Sequence, residues 1–198
     1  GAITFHPHPR AVVTGNGPAY LVTLEERVAL LRGLGLDVVT VLPFDQEMAR
    51  LSAPDFMAIL CQHLRLREVW VGLDFALGHR REGTTTRLAE IGRKLGFELH
   101  AVPPLVLDGQ TVSSTLIRGL VQAGRVEAAA RLLKRRHWVG GIALPSDGRT
   151  LPAGDPTANV VVSGGLALPA GGAYVTYARS RAGHWRTTAH VKPGTDGE

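Results

Sequence analysis

The stretch Val112-Ser113-Ser114-Thr115-Leu116-Ile117-Arg118 carries the clearest chemistry in the sequence. Three hydroxyl residues stand where a helix can begin, and an arginine follows one turn further in. The first N–H groups of a helix have no partner within it, and together with the helix dipole they favour an anion. The Arg118 guanidinium can return along the helix face and pair with a phosphate through two hydrogen bonds. Ser114, Thr115 and Arg118 are therefore candidate phosphate ligands. A second reading stays open on these residues alone, in which Ser113 or Ser114 is an N-cap and Arg118 a surface residue.

Other segments offer related chemistry. Glycines at 72, 78 and 83 allow close backbone approach in the 74–83 loop, which His79, Arg80 and Arg81 make basic. A phosphate or nucleotide suits such a loop, and so does a tight solvated turn. His8 sits between two prolines in His6-Pro7-His8-Pro9, either as a ligand-facing donor or simply fixed at a strand end. Asp45 reads as a helix cap, and Phe44 and Phe56 read as core. No G-x-S-x-G, CxxC, HExxH or GxxxxGK[ST] pattern occurs, which argues against a serine hydrolase, a zinc enzyme and a P-loop kinase.

These residues need elements to hold them. Strands are expected at 2–5, 37–44, 69–73 and 97–102, with capped helical segments between them, the pattern of a parallel sheet with crossover helices. Thr23 with Glu26 forms a capping box, with Gly33 and Gly35 as stop positions. Ser52 with Asp55, and Pro54 in the first turn, open a second helix, and Thr84 to Leu95 makes a third that ends at Gly96. Asp108-Gly109 between apolar runs predicts a hairpin. In open α/β sheets ligands bind outside the carboxyl ends of the strands, where His8, Asp45, Asp74, Phe75 and the hydroxyl cluster all fall. From His137 onward the texture changes to Gly, Pro, Ser and Val/Leu runs, which predicts β structure and a domain boundary near 136.

With 198 residues, 44% of them hydrophobic, the chain is long enough for one domain and part of another. One cysteine, Cys61, allows no internal disulfide, and no Cys/His cluster has zinc spacing. No apolar run reaches the ~20 residues of a membrane helix, so a soluble cytoplasmic protein is expected. The net charge of +5 arises in the second half, where residues 99–198 carry 11 basic and 6 acidic side chains. Arg131, Lys134, Arg135 and Arg136 lie on an expected helix, so they read as its solvated face and terminal charge complement rather than as a nucleic-acid surface.

Four ordered segments resemble the bacterial bifunctional riboflavin kinase/FMN adenylyltransferase family, also called FAD synthetase. TFHPHPRAVV is similar to its T-F-x-P-H-P segment, FDQEMARLSAPDFM to F-D-x-x-F-A-x-L-S-x-x-x-F, VGLDFALGHRREG to V-G-x-D-F-R-F-G-x-x-x-x-G, and VSSTLIRGLVQAGRVEAAARLL to V-S-S-T-x-I-R-x-x-L-x-x-G-x-V-x-x-A. The resemblance implies a Rossmann-like nucleotidyltransferase domain over 1–136, which moves AMP from ATP to FMN with the help of Mg²⁺ and releases pyrophosphate. It implies that Ser114, Thr115 and Arg118 hold the ATP phosphates, that Asp74 and Phe75 line the flavin/ATP site, and that His8 contacts the nucleotide. It further implies the N-terminal part of a riboflavin kinase β-barrel over 137–198. There GRTLPAGDPTANV resembles G-R-x-L-G-F-P-T-A-N, with Thr157 and Asn159 serving the Mg-nucleotide and metal. The partners implied are flavin and ATP, with no nucleic acid and no membrane.

The sequence also departs from the family. It starts after the family's G-x-F-D-G-x-H-x-G-H loop, so the histidines of that loop have no counterpart here and a catalytic residue is not assigned. Ala76 replaces the usual Arg, Pro152 and Ala153 are inserted, and Asp155 stands where an aromatic is usual. The chain stops just before the position of the family's kinase glutamate, so Glu198 is not that base. The sheet is expected to lack its first strand and helix, the barrel its later strands, and the chain to have little activity by itself. Two alternatives are a catalytically inactive flavin- or nucleotide-binding relative and an adenylyltransferase of the same fold with another nucleotide-like substrate.

Overall fold

The N-terminal caps read at Thr23 and Ser52 become hydrogen bonds in the computed structural model, which describes residues 1–144, 157–162, 164–181 and 183–192. By packing, the chain divides into two units, one of residues 1–18 and 28–111, the other of 19–27 and 112–198.

In chain order the first part comprises β1 (Ala2–His6), α1 (Pro9–Thr14), α2 (Leu24–Gly33), β2 (Val39–Pro43), α3 (Ala53–Leu64), β3 (Glu68–Gly72), β4 (Ala76–Leu77), β5 (Gly83–Thr84), α4 (Thr85–Leu95), β6 (Glu98–Val102), β7 (Val106–Leu107) and β8 (Gln110–Thr111). The capping box is reciprocal: the Thr23 N–H donates to Glu26 Oε2 at 3.1 Å and the Glu26 N–H to Thr23 Oγ1 at 3.2 Å. After α2 the left-handed stop falls at Gly35, whereas Gly33 stays inside the helix. Ser52 caps α3 by accepting from the Asp55 N–H, and Thr84 caps α4 by accepting from the Arg87 N–H. Asp108 (φ 50°) and Gly109 (φ 73°) both turn left-handed between β7 and β8, the geometry of the predicted hairpin.

All four expected strands form, and they pair in parallel: β1 with β2, from Ala2 opposite Val39 to His6 opposite Pro43, and β3 with β6, from Glu68 opposite Glu98 to Gly72 opposite Val102. Among the described residues no ladder joins the two pairs, so the parallel layer consists of two separate ribbons. Both ribbons nevertheless pack on one core. Ile3, Phe5 and Leu42 from the first and Val69 and Leu99 from the second cover Ala53, Phe56, Met57 and Leu60 of α3, Leu88 and Ile91 of α4, and Phe97. Met57 and Leu88 are among the largest side chains withdrawn from water, and each stabilises the layer by about 2–3 kcal/mol. Phe5 meets Phe44 edge-on at 5.5 Å and Phe56 at 6.0 Å, which assigns both to packing, as expected. Cys61, on α3, is a free thiol that burial pushes above its ordinary pKa. Opposite Val69 and Leu99, Trp70 stacks on His100 with ring centres 4.2 Å apart, and the Trp70 Nε1–H donates to Glu68 Oε2 at 3.0 Å.

The second unit holds α5 (Ser114–Gln122), α6 (Val126–Leu133), β9 (Gly141–Leu144), β10 (Asn159–Val162), β11 (Gly172–Ser180) and β12 (Gly183–Val191). Its core is Ile117 and Val121 of α5, Ala129 of α6 and Ala167, lined by Ala19, Leu21, Leu132 and Leu133. His137 Nε2 lies 3.1 Å from the Ala167 carbonyl, and burial pushes this imidazole below its ordinary pKa. After Leu133 the backbone turns left-handed at Lys134, so only Arg131 of the basic run stands in the last turn of α6. Arg136 instead stacks over Tyr177 at 4.5 Å, which corrects its placement on the helix face. The β texture expected after 137 is present as two antiparallel pairs, β9 with β10 and β11 with β12. Among the described residues these two pairs do not join or close into a barrel.

Candidate functional site

The best-defined part of the first unit's candidate site is the turn that follows β3. Leu73 N–H donates to the Val102 carbonyl and Phe75 N–H to the Gly72 carbonyl, which bends the chain sharply at the strand end. Asp74 is exposed there, with Phe75 beside it at 36% exposure. The chain then forms the two-residue strands β4 and β5, closed by a 3-10 turn over His79–Arg81. This small hairpin lies against the start of α3. A Cβ on Gly78 would stand 2.6 Å from the Ala53 nitrogen, and one on Gly83 would stand 2.6 Å from the Ala53 Cβ, so neither position tolerates a side chain. His79 N–H donates to the Leu51 carbonyl at 2.8 Å, and the Ala53 N–H donates to Glu82 Oε1 at 2.8 Å.

The hairpin is also strained. Arg80 (φ 53°) and Arg81 (φ 61°) are consecutive left-handed residues that carry a Cβ, at a cost of about 1–2 kcal/mol each. Such a conformation persists only where neighbouring contacts impose it. Arg81 is thereby turned back, and its Nη2 reaches the Asp74 carbonyl at 3.3 Å.

His8 is the N-cap of α1, where its Nδ1 accepts from the Arg10 N–H at 3.1 Å. In a neutral ring that places the proton on Nε2. Asp45 caps as expected, its Oδ1 accepting from the Met48 N–H at 2.7 Å.

The candidate phosphate residues of the second unit lie at the start of α5. Ser113 is the N-cap, its Oγ accepting from the Leu116 N–H at 3.2 Å, so Ser114 and Thr115 occupy the exposed first turn. Arg118 is half-buried, and its Nε donates to the Ala19 carbonyl at 2.6 Å, across 99 residues of sequence. This bond was not legible in the sequence. It fixes the guanidinium while leaving its terminal amino groups for an anion, and among the described residues no carboxylate forms an ion pair with Arg118.

Asn159 opens β10, exposed and opposite Leu144, and Thr157 precedes it, half-buried. Their hydroxyl and amide oxygens are hard donors of the kind Mg²⁺ accepts beside water and phosphate. Among the described residues no group of three His, Cys, Asp or Glu could hold a metal. Pro152, Ala153, Asp155 and Glu198 lie outside the described residues. His8, Asp74 and Phe75 belong to the first unit, and Ser114, Thr115, Arg118, Thr157 and Asn159 to the second. Among the described residues no helix is long and apolar enough to cross a membrane.

Two curated relatives of one family are similar to most of this chain. The bifunctional riboflavin kinase/FMN adenylyltransferase of Escherichia coli K12 is 34% identical over 79% of this chain, and that of Bacillus subtilis 168 is 32% identical over 89%. The matches cover 50% and 56% of those relatives, so the chain spans about half the length of the curated relatives it matches. A crystal structure described as a macrolide-efflux protein from Streptococcus pneumoniae superposes with a TM-score of 0.86 and 26% identity, covering 98% of this chain and 64% of that one. The family model described as FAD synthetase matches residues 1–116, the stretch that holds both parallel ribbons, the strained hairpin and the start of α5, and the chain belongs to that family.

Proposed function

We propose that this chain binds ATP and FMN as the nucleotidyltransferase part of an FMN adenylyltransferase. The observation that carries the reading is the FAD synthetase match over residues 1–116, within which the candidate residues His8, Asp74 and Phe75 stand just past the ends of parallel strands. In the reaction an oxygen of the FMN phosphate attacks the α-phosphorus of ATP, the bond to the β-phosphate bridge breaks, and pyrophosphate leaves as FAD forms. Positioning and charge neutralisation dominate such transfers. On this reading the N–H groups at the start of α5, with Ser114, Thr115 and the terminal amino groups of Arg118, hold ATP phosphates. His8 donates to the nucleotide, and Asp74 and Phe75 line the flavin/ATP site.

The reading places the adenylyltransferase domain over 1–136 and a partial riboflavin kinase module over 137–198. In that module Thr157 and Asn159 would serve a Mg-nucleotide, with Mg²⁺ neutralising phosphate charge. A reducing cytoplasmic setting is part of the same reading and rests on the single cysteine.

Binding is the informative readout for a chain of this length. Titration of the 198-residue protein with FMN, followed by flavin fluorescence with and without Mg-ATP, is expected to give saturable binding at micromolar levels. A chain that circular dichroism shows to be folded, yet that binds no FMN, would refute the flavin reading and favour an adenylyltransferase with another substrate.

A further inference from the structure

Glu82 belongs to none of the candidate ligand sets, yet it joins two pieces of the first unit. Its Oε1 accepts from the Ala53 N–H at 2.8 Å, a donor at the first turn of α3 that has no partner within the helix. Three residues earlier, the His79 N–H donates to the Leu51 carbonyl at 2.8 Å, and Gly78 and Gly83, which flank His79 and Glu82, close on Ala53. The β4–β5 hairpin is therefore fastened to the 51–53 segment at both ends of its turn. Within that turn Arg80 and Arg81 are both left-handed, and in this conformation Arg81 returns to the Asp74 carbonyl. Once released, two arginines prefer the right-handed region, which would withdraw Arg81 from the Asp74 carbonyl and leave the bend with its two backbone hydrogen bonds alone.

We propose that Glu82 is a positioning residue for the flavin/ATP site: through its hydrogen bond to the Ala53 N–H it locks the strained hairpin that keeps Asp74 and Phe75 in place. The inference rests on the proposed function for the ligand, and on the geometry alone for the lock. What acts is the accepting oxygen rather than the charge. A glutamine keeps an oxygen at the same reach, and alanine supplies none.

The test compares wild type, Glu82→Ala and Glu82→Gln as 198-residue chains. Amide hydrogen exchange at Ala53 and across residues 76–84 reads the lock, and FMN titration reads its effect on binding. The alanine variant is expected to exchange these amides faster and to bind FMN about tenfold more weakly, while the glutamine variant stays within about twofold of wild type in both. Unchanged exchange in the alanine variant would overturn the lock. Faster exchange with undiminished FMN affinity would overturn the positioning role, and equal losses in the alanine and glutamine variants would overturn the assignment to the hydrogen bond. Wild type that binds no FMN while the exchange pattern holds would instead refute the flavin reading, separately from the lock.

Discussion

Replacing Arg118 by alanine removes the tie between α5 and the Ala19 carbonyl. The Arg118 Nε–H reaches the Ala19 carbonyl at 2.6 Å, and the bond is partly shielded from water. A hydrogen bond with one charged partner contributes about 1.5–3 kcal/mol, and partial exposure places this one near the lower figure. The methylenes of the half-buried stem add about 0.8 kcal/mol for each one returned to water. The expected loss is therefore about 2 kcal/mol, or a fall of about 4–8 °C in Tm for a chain of this size. Thermal unfolding followed by circular dichroism measures it. On the proposed function a second deficit accompanies the first: Mg-ATP raises the Tm of wild type through binding linkage and leaves the alanine variant unmoved. Arg118→Lys separates the two roles, since an ammonium keeps the charge for phosphate but lacks the rigid fork that places Nε on the carbonyl. An alanine variant that melts within about 1 °C of wild type would refute the structural part, given the size expected of such a bond.

Two further outcomes follow from the packing. Gly92→Ala in α4 sets a helix-propensity gain of about 1 kcal/mol against a Cβ placed 2.5 Å from the Phe97 carbonyl oxygen and 2.9 Å from its ring. Overpacking of about 1–3 kcal/mol exceeds that gain, so urea unfolding is expected to show net destabilisation, and a more stable variant would contradict it. Burial holds the folded-state pKa of His137 below the ordinary histidine value of 6.5, so the unfolded chain takes up a proton before the folded one does. The stability tied to His137 is thus fully present above pH 6.5 and is lost as the pH falls from there toward the folded-state pKa. The urea midpoint of wild type should decline over that interval more steeply than that of His137→Asn, and parallel declines would remove His137 as the cause.

Interactions that close within a few residues were legible in the sequence. The Thr23–Glu26 box, the Ser52 cap and the Asp108-Gly109 turn each need only three or four residues to define them, and each forms as read, while Thr84 and Ser113 turn out to be the caps at two helix starts that the sequence located to within a residue. The four parallel strands were legible too, because their apolar runs are short and bounded by turn residues. What the spacing did not carry was long-range partnership. Arg118 read as a phosphate ligand, and its bond to Ala19 depends on a residue 99 positions away. Glu82 gave no signal at all, because its partner is a backbone N–H 29 positions away, which leaves no mark on side-chain pattern. His8 was legible as a polar residue at a strand end, while its capping of α1 was not, since that helix runs for only 6 residues. The division of the parallel layer into two ribbons also escaped the pattern, which marks strands but not their neighbours.

The stack of Trp70 on His100 gives the first unit an optical signature of its own. The other two tryptophans, Trp138 and Trp185, lie in the second unit, so Trp70 emission reports on one unit alone. The imidazole that faces its indole ring belongs to the neighbouring strand of the β3–β6 ribbon. Separation of those strands would remove a contact-range quencher from Trp70 and release its Nε1–H from Glu68 to water. In a variant that keeps Trp70 as the single tryptophan, a change in emission intensity and wavelength would mark the opening of this ribbon, whatever the second unit is doing.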